Sequence, residues 1–77
     1  MEYWKIGKKI RELRKRKGLT QEELARKAGI SRQTLSTLER GLLGRITVTT
    51  LIRVLHQLGY ELDIKERKET FFFDPSM

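Results

Sequence analysis

The sequence predicts an all-α fold class, four helices with one C-terminal β-strand that pairs in a dimer, and three observations carry that expectation. Four segments of the 77-residue chain place apolar residues at spacings of three and four, each of these segments stops at a glycine, and a fifth, shorter segment alternates with period two. No run approaches the roughly 18 apolar residues of a membrane span, and Met1 to Lys17 lacks the apolar block of a signal peptide, so a soluble, cytoplasmic chain is expected. The absence of Cys excludes disulfide staples, thiolate metal sites and cysteine nucleophiles together. A chain this short with 38% hydrophobic residues has little stability to spare, which a second copy would relieve.

Tyr3, Ile6, Ile10 and Leu13 form the apolar stripe of the first helix, which Gly18 ends. Thr20 caps the second, and Glu23, three residues on, closes a capping box onto the Thr20 amide. The inner face of this short helix is Leu24, Ala25 and Ala28, small enough for a close helix approach, and Gly29 stops it. Ser31 caps a third short helix with Leu35 and Leu38 inside and Gly41 at its end. After a loop from Gly41 to Ile46, Thr47 caps a fourth helix whose apolar positions are Val48, Leu51, Ile52, Leu55 and Leu58, up to Gly59. Tyr60, Leu62 and Ile64 then alternate with Glu61, Asp63 and Lys65 as one strand. A lone strand leaves an unpaired edge, and the simplest partner is the same strand of a second copy. The expected organisation is a helical domain over 1–59, a dimerising strand over 60–66 and a tail over 67–77. The tail carries Phe71, Phe72 and Phe73, which suit either a frayed end or a partner-binding segment.

Charge is concentrated in the first half. Residues 1–45 hold 13 basic and 5 acidic side chains, a net of +8, whereas residues 46–77 hold 4 and 5. Clustered Lys and Arg suit a polyanion, although a charge run can equally be a solvated helix face.

Two short helices joined by a tight Gly-containing turn, the second polar on its outer face, form the helix-turn-helix pattern. The stretch from Arg11 to Gly41, ending in GLTQEELARKAGISRQTLSTLERG, resembles the Cro and phage-repressor class of helix-turn-helix domains, also called XRE-type. Through Lys65 the chain is similar to HipB-like antitoxins, which add a dimerising strand. The resemblance implies a lambda-repressor-like fold and a homodimeric DNA-binding transcriptional regulator, a repressor at an inverted-repeat operator. It implies nucleoid association and, for an antitoxin, a HipA-like kinase toxin as partner with autoregulation of the operon. A stand-alone repressor and a mainly toxin-neutralising module remain the alternatives.

A major groove about 12 Å wide admits one helix. With Leu35 and Leu38 inward, helix 3 turns Arg32, Gln33, Ser36 and Thr37 outward and carries Ser31 at its tip, so these five are the candidate base contacts. Arg and Gln lead because each can bond a purine edge bidentately. Candidate phosphate contacts are Thr20, Gln21, Thr34, Arg40, Arg45 and Thr47, with Thr20 and Thr47 serving as caps at the same time. The resemblance further implies that Glu39 pairs with Arg14, making both structural residues. Tyr60, Leu62 and Ile64 are the candidate dimer interface. No cofactor or metal is expected. An enzyme reading fails on chemistry, because His56 has no acid at ligand spacing and Glu22 and Glu23 are explained by helix-start electrostatics. The Gly41-Leu42-Leu43-Gly44 loop has the Gly-x-x-Gly spacing of RNA-binding KH domains, which need a three-stranded sheet that one strand cannot supply.

Overall fold

A computed structural model describes residues 3–63 and 66. Four α-helices follow in order: α1 (Tyr3–Arg16), α2 (Gln21–Ala28), α3 (Arg32–Glu39) and α4 (Val48–Gln57), with a single 3-10 turn, Leu43–Arg45, between the last two. α3 sits centrally, packed on α1 and on α2, while α2 also packs on α4.

Local chemistry sets the helix boundaries. Thr20 Oγ1 accepts from the Glu23 amide at 3.0 Å while Glu23 Oε1 accepts from the Thr20 amide at 2.9 Å, so the capping box is closed in both directions. Ser31 and Thr47 cap α3 and α4 by accepting from the amides of Thr34 and Thr50. All four helices end with one device, in which the amide following a glycine reaches back to a carbonyl five residues earlier. These bonds are Leu19 to Arg14, Ile30 to Ala25, Leu42 to Thr37 and Tyr60 to Leu55, and in each case the donor residue is apolar. In the turn between α2 and α3 the glycine is obligatory in conformation, since Gly29 lies at φ 71°.

The core joins Ile10 and Leu13 of α1, Leu24, Ala25 and Ala28 of α2, Leu35 and Leu38 of α3, and Val54 and Leu58 from the end of the chain's helical part. Each of the larger aliphatic side chains here contributes about 1.5–3 kcal/mol by leaving water. Ile6, Leu19, Ile30, Leu43, Ile46, Leu51 and Leu55 pack around it half-buried.

One expectation needs correction. Val48 is not an inward position: it is 67% exposed, because the buried stripe runs through Val54 and Leu58, and at about 100° per residue Val48 lies well round the helix from Val54. Residues 60–63, the described part of the strand expected to pair in a dimer, run without regular structure in the single chain and are exposed. A β ladder needs a second strand, and none is present among the described residues of a single chain. Ile64, Lys65 and the tail from Arg67 to Met77 lie outside the described residues, as does the Tyr3 side chain.

The two leucines of the loop from Gly41 to Ile46 lie in different surroundings. Leu43 packs against the core, and Leu42 is 43% exposed.

Candidate nucleic-acid interface

The surface around α3 is built on a buried polar anchor. Arg14 Nε donates to Glu39 Oε2 at 2.7 Å, and its second terminal nitrogen donates to Glu39 Oε1 at 3.1 Å, a bidentate pair linking α1 to α3. The pair is withdrawn from solvent, the Arg14 side chain being 9% and the Glu39 side chain 3% exposed. The remaining guanidinium nitrogen donates to the Leu19 carbonyl at 2.9 Å, fixing the segment that leads into α2. Gln21 Nε2 completes the set by donating to Glu39 Oε1 at 3.1 Å. Glu39 therefore accepts three bonds, one from the first residue of α2, and no buried side-chain nitrogen or oxygen among the described residues lacks a partner.

The outer face of α3 divides into two flanks. On the first, α3 meets the end of α1 and the start of α2 in an open groove that brings Arg32, Ser36 and Arg40 together with Thr20, Gln21 and Arg11. On the second, Ser31, Gln33, Thr34 and Thr37 share a smaller depression with Arg45 of the 3-10 turn. Arg32, Gln33, Arg40 and Arg45 are exposed, whereas Ser36, Thr37 and Thr34 are half-buried. Ser31 is exposed but committed: its hydroxyl donates to Thr34 Oγ1 at 2.8 Å and accepts the Thr34 amide at 3.0 Å. Thr47 stands beyond both flanks, its hydroxyl bonded to Thr50 at 3.0 Å. Tyr60 and Leu62 are exposed at the far end of α4.

Two features of this surface are not signalled by the sequence pattern. Arg11 enters the first flank; it lies three residues before Arg14 on the same side of α1, so its direction follows once Arg14 is anchored. Gln21, expected to face outward, spends one amide hydrogen on Glu39, which fixes how the rest of its carboxamide is presented.

Electrostatically the rim is basic, with Glu39 and Glu23 engaged by hydrogen bonds and Glu22 exposed at the edge of the first flank. Glu23 sits below its ordinary value of 4.5 because the Thr20 amide and then the Thr20 hydroxyl bond its carboxylate, with Arg26 and Lys27 adding a smaller pull. Among the described residues no cluster of three or more His, Cys, Asp and Glu side chains could hold a metal ion, and no helix is long and apolar enough to cross a membrane. His56 is exposed on the last turn of α4.

A family model described as helix-turn-helix matches residues 10–65, most of the chain. The chain belongs to the helix-turn-helix family. Its relatives in sequence include the HTH-type transcriptional regulator y4dJ of Sinorhizobium fredii, 46% identical over 70% of this chain and 69% of that protein. A protein named as the antitoxin HigA2 of Mycobacterium tuberculosis is 42% identical over 82% of this chain and 64% of its own length. Among solved structures, the biofilm regulator SinR in complex with DNA superposes with a TM-score of 0.65 at 38% identity, covering 73% of this chain and 89% of that one. The SinR structure solved with the SinI protein gives 0.66 at the same identity, covering 73% of this chain and 54% of the other. Several relatives thus extend well beyond the part that this helix-turn-helix chain matches.

Proposed function

We propose that this helix-turn-helix chain is a DNA-binding transcriptional regulator that acts as a homodimeric repressor, with α3 as its recognition helix in the major groove. The observation that carries the reading is the presentation of α3: its inner residues Leu35 and Leu38 are fully buried, its far end is tied to α1 through Glu39 and Arg14, and its outer face is ringed by arginines from three segments. A helix held this rigidly, with a basic rim, suits insertion into a groove between phosphate backbones. The similarity to a SinR structure solved with DNA supports the same reading.

In this proposal Arg32 and Gln33 lead the base contacts, with Ser36 and Thr37 beside them and Ser31 limited by its cap. Arg40, Thr20 and Gln21 grip phosphates on one flank, Arg45 and Thr34 on the other, and Thr47 beyond them. Dimerisation pairs the segment from Tyr60 through Leu62 to Ile64 across a two-fold axis, so the operator is an inverted repeat with half-sites about 34 Å apart or a multiple of that. Selection of bound sites from random DNA tests both claims at once. A palindrome at that spacing is the expected outcome, and recovery of no preferred sequence refutes specific binding.

The similarity to HigA2 favours one second reading, that the regulator is also the antitoxin of a toxin-antitoxin operon, neutralising a toxin and repressing its own promoter. Co-purification of the chain with the product of an adjacent toxin gene is the expected result. Unrelieved toxicity on co-expression refutes it.

A further inference from the structure

We infer that Arg11, together with Lys8 and Lys15 on the same face of α1, forms a third phosphate-gripping element that carries the DNA interface past the recognition helix onto the flanking duplex. The inference rests on the DNA-binding reading and adds an element that the α2–α3 unit does not contain. Arg11 lines the groove beside Arg32 and Arg40, so arginines from three places in the chain border one open space. The floor of that groove is electrically closed, because Glu39 is saturated by Arg14 and Gln21. Arg11, Arg32 and Arg40 are exposed, and no ion pair among the described residues engages them. The groove therefore presents uncompensated positive charge, with Glu22 as the acid at its edge.

Lys8 and Lys15 stand three residues before and four after Arg11, which puts all three on one face of α1, and all three are exposed. From Lys8 to Lys15 the helix rises about 10 Å, enough to follow two or three phosphates of one strand at about 3.4 Å each along the axis. Lys9 is equally exposed but is rotated about 160° from Arg11, which makes it a charge-matched control.

The test uses the full chain on its selected site, with the site either cut at the half-site edges or extended by one further turn of duplex, across a salt titration. Arg11→Gln should weaken binding about five- to tenfold near physiological salt and reduce the salt slope by about one, equally on selected and random DNA. Lys8→Gln, Arg11→Gln and Lys15→Gln combined should abolish the advantage of the extended duplex, Glu22→Gln should tighten binding, and Lys9→Gln should change affinity less than about twofold. Unchanged melting temperatures confirm that the variants fold. If Arg11→Gln matches Lys9→Gln, or the combined variant still profits from the extension, the inference is overturned while the DNA reading stands. Absence of wild-type binding to any duplex overturns both.

Discussion

Gly7 lies in the middle of α1, where alanine should by helix propensity alone be better by about 1 kcal/mol. The structure predicts the opposite sign. A Cβ at Gly7 would collide with the Leu38 carbonyl oxygen and stand 2.7 Å from both the Glu39 carbonyl oxygen and the Gly41 amide nitrogen. Non-bonded contacts involving carbon are optimal near 3.5 Å or beyond, so the shortfall is close to 1 Å. All three obstacles are backbone atoms, two in the last turn of α3 and one just beyond its end, and they cannot rotate aside. α1 must therefore withdraw from α3, loosening Ile10 in the core and the Arg14 to Glu39 pair. Overpacking of this kind costs about 1–3 kcal/mol, and the upper half of that range applies against fixed backbone. After the propensity gain, Gly7→Ala should lose about 1–2 kcal/mol and melt about 5–15 °C lower. Gly44 is the control, since it has open space around its Cβ position and no positive φ, and Gly44→Ala should be neutral or slightly stabilising. Thermal melts followed by far-UV circular dichroism decide the matter. A Gly7→Ala protein that melts at or above the wild type would refute the close crossing of α1 over α3 and the anchoring argument built on it.

Removing Glu39 should be the most damaging single change, because Glu39→Ala strands the buried Arg14 guanidinium at a cost of about 3–5 kcal/mol, whereas an apolar pair such as Arg14→Met with Glu39→Leu should recover much of that loss in a double-mutant cycle; denaturant melts of the four proteins measure it, and simple additivity would count against the pair. Thr20→Ala should cost about 1 kcal/mol at neutral pH by opening the capping box, as read from denaturant midpoints. Since folding depresses the Glu23 pKa, its contribution is complete above the ordinary value of 4.5 and is lost as pH falls below that value through the folded one; Glu23→Gln should flatten the melting temperature in that acid window, and an unchanged slope would sink the assignment. Arg32→Ala and Gln33→Ala should each lose about 1–3 kcal/mol at the selected operator with relaxed preference there, while Arg45→Ala should weaken all sequences alike; competition titrations with random DNA separate the two patterns.

What was legible in the sequence is what a few neighbouring residues decide. Thr20 and Glu23 meet across one helical turn, Gly29 sets its own backbone, and Leu24, Ala25 and Ala28 share a face by spacing alone, so local chemistry is enough to place α2, the turn and α3. The candidate base contacts followed from Leu35 and Leu38 by the same logic, and their distribution over two flanks did not, because the flanks are made by α1, α2 and the 3-10 turn arriving from elsewhere. Arg14 and Glu39 are separated by 25 residues, and only a resemblance could suggest their pairing. Gly7 had no local signal, since a glycine inside a helix looks like a weakness until the backbone it touches, at Leu38 and Gly41, is known.

Val48 and the segment from Tyr60 onward mark a different boundary. Helical spacing placed Val48 among the inward residues of α4, yet it is exposed, and so are Tyr60 and Leu62, which alternate as strand residues do. Periodicity reports which side of an element carries its apolar groups, a property of one segment, but burial requires a second surface, a property of the assembly. For Val54 and Leu58 that surface lies in the same chain. For Tyr60 and Leu62 it does not lie among the described residues, which is why residues 60–63 keep a clear pattern without regular structure, and why the proposed dimer should be sought first at this end of the molecule.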